Sequence, residues 1–343
     1  MVSSSKELVR ALFEGEGVER VPVFPPFSGF LATALHGITN QEAIDNPALA
    51  AHAQIEMGQL CGFDGMEMIA DFLCPAEACG SKAQVPDYGL MPTISPVIEE
   101  LSDIDRLGVP DPREDHRFVS SLAAAEEIDK RIGRTHYLYA TMSGPFTLLG
   151  ELRGLERFFF DLIIEPGAVR EMKRYANEVL NSYHEEIDLL DPDAIVVADP
   201  TTSGSFLSAD LFRKFVLSSN VALAHRIGSR GRDVMWHICG DSFDIFREMS
   251  SVEADMLSVD APVSLSAVSD LFPDTIIIGN LPPEGALTGG PPIEVVKQSV
   301  RCMNEMIDRK YILAAGCGLT LDCEVEYIRM MRYSSEQFSL IRR

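Results

Sequence analysis

The chain has 343 residues, 46% of them hydrophobic, and carries 52 acidic against 29 basic side chains, which gives a net charge of −23. This length and hydrophobic content allow a large core in one big domain or two ordinary ones. The acidity argues against nucleic acid as a partner, because nucleic-acid binding requires cationic side chains that neutralise phosphates.

The chain shows no targeting or membrane segment. Its start is amphipathic without the apolar core of a signal peptide, and its longest apolar runs, such as FFFDLII at 158–164, are far shorter than a membrane span. Seven cysteines in a chain of this size favour free thiols over a disulfide framework. These features predict a cytoplasmic protein with no membrane partner, and they leave a homodimer open.

Strand-like and helix-like segments alternate along the chain. A helix at about 4–14, within an N-terminal extension of residues 1–19, comes first. Eight segments are then predicted as strands, and most are near-continuous apolar runs, which is typical of parallel strands buried on both faces. They are 20–26, 64–69, 136–144, 194–200, 233–240, 256–261, 275–281 and 311–318.

Helical segments lie between these strands. Apolar residues at helical spacing and N-terminal Pro or Ser signals mark helices at 165–190, 208–227, 293–309 and 324–341. The alternation predicts an α/β fold, a single (β/α)8 barrel over residues 1–343, with a long insertion at 70–135 near the barrel mouth. An open doubly wound sheet is the alternative, but no G-x-G-x-x-G follows any strand.

Three side chains of metal-ligand type lie at the ends of two predicted strands. His237 and Cys239, in DVMWHICGD, are two residues apart and therefore share one face of a strand. Cys317, in YILAAGCGL, ends the eighth strand, so a barrel would place all three at its mouth. One histidine and two cysteines are typical of a zinc site with an open fourth position. Spacing alone also permits a buried thiol pair and an ordinary core histidine.

The ligand charges indicate what such a zinc could do. Two thiolates and a neutral imidazole cancel the charge of Zn²⁺, so the metal would acidify water less than a zinc held by three histidines. A substrate thiol bound as thiolate would make the complex anionic, and its sulfur would stay nucleophilic. The set therefore favours thiol alkylation. Alcohol dehydrogenases share this ligand set, but the dinucleotide fingerprint is missing.

With these residues in hand, the chain resembles the uroporphyrinogen-decarboxylase superfamily and, within it, the zinc-dependent cobalamin methyltransferases that methylate coenzyme M. The resemblance covers nearly the whole chain. It is carried by GVERVPVFP near the start, TMSGPFTL (141–148), VADPTTSGSFLSADLFRKFV (197–216), HICGD (237–241), IGNLPPEGALTGGPPIEV (278–295) and AAGCGL (314–319).

The resemblance implies particular roles for five residues. The family's zinc ligands fall on His237, Cys239 and Cys317. Asp260 matches an acidic position that can complete the metal shell when no thiol is bound; its alternative role is a hydrogen-bond acceptor at the mouth. Asp199 matches acids that line the mouth and could orient a ligand or the zinc-bound histidine, or else cap the next segment.

The resemblance also implies methyl transfer through cobalamin. Zinc would hold a thiol such as coenzyme M, whose sulfur takes the methyl group from methylcobalamin on a separate corrinoid protein that docks at the mouth. Decarboxylation is disfavoured because residues 21–30 lack the arginines that grip porphyrin carboxylates in true decarboxylases. Two alternatives stay open: demethylation of a methoxylated aromatic or other small methyl donor onto a corrinoid protein, and a non-catalytic, zinc-stabilised partner of such a protein.

Overall fold

The computed structural model describes residues 4–89 and 93–342. Within them, seven strands form one parallel sheet in the order β1-β4-β5-β6-β7-β8-β9, and β2 pairs antiparallel with β3. The strands are β1 (Gly65–Ile69), β2 (Lys82–Ala83), β3 (Thr93–Ser95), β4 (Tyr137–Ser143), β5 (Ala194–Ala198), β6 (Asp233–Ile238), β7 (Met256–Val259), β8 (Ile276–Leu281) and β9 (Tyr311–Ala315).

Helices surround this sheet. They are α1 (Ser5–Phe13), α2 (Gly29–Leu35), α3 (Asn40–Asp45), α4 (Pro47–Cys61), α5 (Cys74–Ala78), α6 (His116–Ile132), α7 (Pro145–Arg153), α8 (Leu155–Ile164), α9 (Pro166–Asp188), α10 (Ala209–Leu211), α11 (Leu217–Gly228), α12 (Phe243–Glu248), α13 (Leu265–Leu271), α14 (Pro283–Ala286), α15 (Pro292–Glu305) and α16 (Val325–Arg342). A π-helical turn, Phe212–Val216, joins α10 to α11. Short 3₁₀ turns are Leu101–Arg106, Pro112–Glu114, Pro200–Thr202 and Met249–Ser251.

The predicted first strand, 20–26, closes the barrel as a single bridge rather than a strand. Val23 pairs in parallel with Leu313 of β9, and on its other side its carbonyl accepts a hydrogen bond of 2.8 Å from the Asp64 amide. The segment is short because Pro22, Pro25 and Pro26 have no N–H to donate to a ladder. The predicted (β/α)8 barrel is confirmed, with its first strand reduced to this contact.

The core has two layers. The barrel interior is filled by inward side chains of alternate strand positions, such as Met235 and Ile278, and is closed at the amino end by Val9 and Leu12 of α1. The outer layer, which includes Trp236, lies between the strands and the helices. The strand alternation that sends Trp236 outward sends the next residue, His237, inward.

The predicted insertion at 70–135 divides into two parts. Its last helix, α6, packs against α4 and β1 as the barrel helix that precedes β4. Only the residues before α6 are therefore additional to the barrel, and they include α5 and the β2–β3 pair. No helix in the described ranges is both long and apolar enough to cross a lipid bilayer.

Candidate metal centre

The three predicted ligands meet at the carboxyl end of the barrel. His237 Nε2 lies 3.1 Å from Cys239 Sγ, Cys239 Sγ lies 3.3 Å from Cys317 Sγ, and Cys317 Sγ lies 3.9 Å from His237 Nε2. His237 is 1% exposed, whereas both thiols are half-buried. Side chains 78 and 80 residues apart in the chain thus converge on one point.

Local backbone features bring these side chains together. Gly240 has φ +72°, a left-handed conformation that glycine adopts without steric cost, and it turns the chain just after Cys239. Gly316 permits the close approach of the segment before Cys317, because a Cβ there would lie 2.6 Å from the Ala261 amide nitrogen. Both glycines therefore shape the ends of β6 and β9 around the site.

The donor atoms fit a zinc ion. A tetrahedral zinc with Zn–S near 2.3 Å and Zn–N near 2.0 Å separates its sulfurs by about 3.8 Å and sulfur from nitrogen by about 3.5 Å. The distances among His237, Cys239 and Cys317 are within about 0.5 Å of these values. Their ligand atoms all lie within 4.8 Å of one another, and no fourth His, Cys, Asp or Glu of the described residues joins that group.

The two thiols share their protons unequally. The hydrogen bond with Cys239 lowers the pKa of Cys317, and the nearby His237 ring acts in the same direction. The same hydrogen bond and burial raise the pKa of Cys239 well above its ordinary value. A lowered pKa favours the thiolate of Cys317, and the thiolate is the form of cysteine that binds metals.

Ser258 orients the histidine. Its hydroxyl oxygen lies 2.9 Å from His237 Nδ1, and the two residues are register partners in the parallel pair β6–β7. A proton on Nδ1 that donates to Ser258 would leave the Nε2 lone pair for a metal. Sequence reasoning missed this residue, although aligning the predicted strands 233–240 and 256–261 as neighbours would have pointed to it.

Asp260 lies beside the three ligands but outside their group. Its carboxylate accepts hydrogen bonds of 2.6 Å from the amides of Gly240 and Ala261. It thereby ties the turn after Cys239 to the turn after β7. Its suggested place in the metal shell stays a prediction.

Asp199 is fully buried, and its carboxylate lies at the amino end of α7. Oδ1 accepts hydrogen bonds of 2.8 Å from both the amide and the hydroxyl of Thr147, while Oδ2 is buried without a hydrogen-bond partner in the structure. Burial raises the pKa of Asp199 to about 7, against the lowering effect of Thr147. The expected cap on the next segment is wrong, because the Asp199 side chain makes no cap hydrogen bond to the turn Pro200–Thr202 and caps α7 instead. The Nδ1 atom of His237 contacts Ser258. A catalytic role for Asp199 stays a prediction.

Comparison with known proteins adds to this geometry. The family model described as "Uroporphyrinogen decarboxylase (URO-D)" matches residues 4–337. The chain is 24% identical over 340 residues to the methylcobamide:CoM methyltransferase MtaA of Methanosarcina barkeri, which covers 97% of this chain and 98% of the relative. It is 24% identical over 259 residues to the methylcobamide:CoM methyltransferase MtbA of Methanosarcina acetivorans, 75% of each chain.

A solved structure shares the fold. A methyltransferase from Methanosarcina mazei superposes with a TM-score of 0.87 at 22% identity, covering 98% of this chain and 99% of that one. This likeness shows that the barrel and its additions are those of a known architecture. What these relatives act on is a property of those proteins.

Proposed function

We propose that this chain, which belongs to the uroporphyrinogen decarboxylase family, is a zinc-dependent methyltransferase that moves a methyl group between a corrinoid on a partner protein and a small thiol such as coenzyme M. The observation that carries the proposal is the convergence of His237, Cys239 and Cys317, with ligand atoms within 4.8 Å of one another, at the barrel mouth. Its relatives named as methylcobamide:CoM methyltransferases support the same reaction class.

The donor set suits a thiol substrate. When bound, zinc would acidify a substrate thiol that takes the open fourth position. Cys239 and Cys317 bring two negative charges and His237 none, so the three residues would offset the metal's charge and keep the substrate sulfur nucleophilic. The substrate sulfur would be the methyl acceptor and would form the new S–CH₃ bond. The corrinoid substrate on the partner protein would be the methyl donor and would keep the electron pair of the broken Co–CH₃ bond. The partially exposed thiols leave this reaction accessible from the mouth.

The residues around the ligands hold the geometry for this reaction. Ser258 fixes the His237 ring, and Asp260 holds the backbone that follows Cys239. Catalysis by positioned groups depends on such support, because small displacements of a reacting atom are costly. A purely structural zinc is disfavoured, since such sites have four protein ligands and the described residues supply three.

The test uses the full chain with zinc analysis and methyl transfer. We expect one zinc per chain and methylation of coenzyme M by methylcobalamin, followed by the change in corrinoid absorbance. Cys239→Ser should lose both the bound zinc and the methyl transfer. Cys61→Ala, at a buried thiol on α4, should keep both. Protein without stoichiometric zinc, or full thiol methylation by Cys239→Ser, would contradict the proposal. Methyl transfer from a methoxylated aromatic to cob(I)alamin, without thiol methylation, would favour demethylation instead.

A further inference from the structure

Phe27 lies against the metal centre on one side. Its ring centroid is 4.8 Å from that of His237, in an edge-on arrangement. A Cβ on Gly318, which follows Cys317 by one residue, would lie 3.4 Å from the Phe27 Cβ. The aromatic side chain therefore spans from one ligand to the turn that carries another, and it is only half-buried.

The same side chain belongs to a small apolar enclosure. Phe27 and Ser258, the partner of His237, both line a cavity of about 20 Å³ inside the barrel. On the outer side, the Phe27 ring is 6.1 Å from the ring of Phe72. Phe27 thus separates the interior below His237 from the mouth and presents carbon surface beside the ligands.

The backbone at Phe27 is held in an unusual conformation. Its φ is +47°, in the left-handed region, which costs a non-glycine residue roughly 1 kcal/mol or more. The conformation persists because the neighbouring residues are fixed. The Tyr139 hydroxyl donates to the Pro25 carbonyl on one side, and on the other the amides of Ser28 and Gly29 donate to Glu67 at 2.9 and 3.1 Å.

Glu67 is the anchor of this loop. It is 1% exposed on β1, and its second oxygen accepts a hydrogen bond of 2.9 Å from Thr141 on β4. A buried carboxylate without a cationic partner is costly, and here both oxygens are occupied in holding one loop to the barrel wall. Gly29 makes this docking possible, since a Cβ there would lie 2.5 Å from the Ala70 Cβ.

We propose that Phe27 is a specificity-determining residue whose ring forms an apolar wall beside the ligands. The wall admits slender thiols and excludes thiols with bulk near the sulfur. Glu67 is the positioning residue that holds this wall. The inference rests on the proposed function for its substrate class. The wall itself rests on the contacts of Phe27 with His237, Gly318 and Phe72. An apolar ring packs against the carbon chain next to a sulfur and displaces water from it.

The first experiment needs no metal and no turnover. In metal-free protein, alkylation of Cys239 and Cys317 is followed by peptide mass spectrometry with iodoacetamide, a small reagent, and with N-phenylmaleimide, a bulky one. Phe27→Ala should raise the rate of alkylation by the bulky reagent about tenfold, which corresponds to about 1.4 kcal/mol in activation free energy. The rate of alkylation by the small reagent should rise less than twofold. Phe27→Leu should restore most of the discrimination, and Phe160→Ala, at an exposed aromatic on α8, should match the parent.

Glu67 is tested in the same assay. Glu67→Ala should shift the ratio of the two alkylation rates in the direction of Phe27→Ala, while Glu67→Gln, which keeps an acceptor for the two amides, should lie between Glu67→Ala and the parent. An equal increase in the alkylation rates of both reagents would indicate a general loosening of the site and would overturn the proposed role of Phe27 as a wall. Unchanged alkylation rates in Phe27→Ala would overturn it as well. An unchanged ratio in Glu67→Ala would overturn the positioning role.

Turnover separates this inference from the proposed function. With methylcobalamin, Phe27→Ala should raise kcat/KM for a branched thiol relative to that for 2-mercaptoethanol, mainly through KM. A parent protein that methylates neither thiol would refute the proposed function, and the alkylation ratios would still decide whether Phe27 forms a size-selective wall. Methylation with no change in the thiol preference of Phe27→Ala would overturn the specificity role alone.

Discussion

Carboxylates at the amino end of the barrel are paired with arginines, whereas two buried carboxylates toward the mouth have no cationic partner among the described residues. At the amino end, Asp64 is 0% exposed and paired with Arg20, and Arg10 bridges Asp193 and Asp233 at 2.9 and 2.6 Å. Toward the mouth, Glu67 and Asp199 are also buried, but only hydroxyls and amides meet them, and burial raises the pKa of each to about 7.

This difference teaches how the barrel divides stability from chemistry. Barrel enzymes keep their reactions at the carboxyl end of the strands, and the amino end serves stability. Here Asp64, Asp193 and Asp233 at the amino end are paired with arginines. Toward the mouth, Asp71 is paired with Arg117, but Glu67 and Asp199 have no cationic partner in the part of the chain that the structure describes, and the two half-buried thiols and the loop of Phe27 lie at this end. Substitutions at the two ends should therefore have separable effects.

The largest expected effect is on activity, from Cys317→Ala. It removes one of the three proposed zinc ligands, so we expect methyl transfer to fall by more than about 100-fold, which exceeds the loss typical when a residue that only supports a ligand is removed. The free energy of unfolding of the metal-free variant should lie within about 1 kcal/mol of the parent's, because the thiol is half-buried and its hydrogen bonds are weak. Zinc analysis, turnover and urea unfolding measure these. A larger loss of stability in the metal-free variant would contradict the expectation that substitutions at the mouth and at the amino end have separable effects.

At the amino end, Asp64→Ala should act on stability alone. It would leave Arg20 unpaired and the Val23 amide, which donates to Asp64 at 2.9 Å, without an acceptor, so we expect a loss of about 3–5 kcal/mol in the free energy of unfolding. Arg174→Ala, on an exposed helical pair, should change it by less than about 0.5 kcal/mol. Zinc affinity of the folded variant should equal the parent's; a tenfold weaker affinity would show that the ends are coupled.

The mouth carboxylates predict an effect of pH. Because burial raises the pKa of Glu67 from 4.5 to about 7, the folded chain keeps this proton to a higher pH than the unfolded chain. The stability it confers is full below pH 4.5 and is lost as the pH rises to 7, by about 3 kcal/mol. Glu67→Gln should remove that part of the slope in urea unfolding between pH 4.5 and 8, and Asp199→Asn should do the same from pH 3.8 upward. Variant and parent curves that run parallel would contradict this.

Much of the fold and the candidate ligands could be predicted from the sequence, because the strands and the spacing of His237 and Cys239 follow short-range periodicity. Apolar runs predicted seven strands within a few residues, and the two-residue spacing of His237 and Cys239 placed them on one face. The shortened first strand follows from its prolines. The roles of Ser258, Phe27 and Glu67 could not be predicted in this way, since they depend on strand register and on where a loop docks.

Ser258 shows how such a residue can be tested, and it carries the smallest expected effect. Ser258→Ala removes the partner of His237 Nδ1, which should lower zinc affinity about 10–100-fold because the imidazole loses its fixed orientation. The control is Ser143→Ala at the end of β4, where a buried hydroxyl donates to the Gly144 carbonyl. It should leave the zinc affinity unchanged. Competition with a chelating dye measures both. Since the fold does not depend on Ser258, the free energy of unfolding of the metal-free chain should stay within about 1 kcal/mol of the parent's; a pure stability loss with unchanged affinity would assign Ser258 to the barrel rather than to the metal centre.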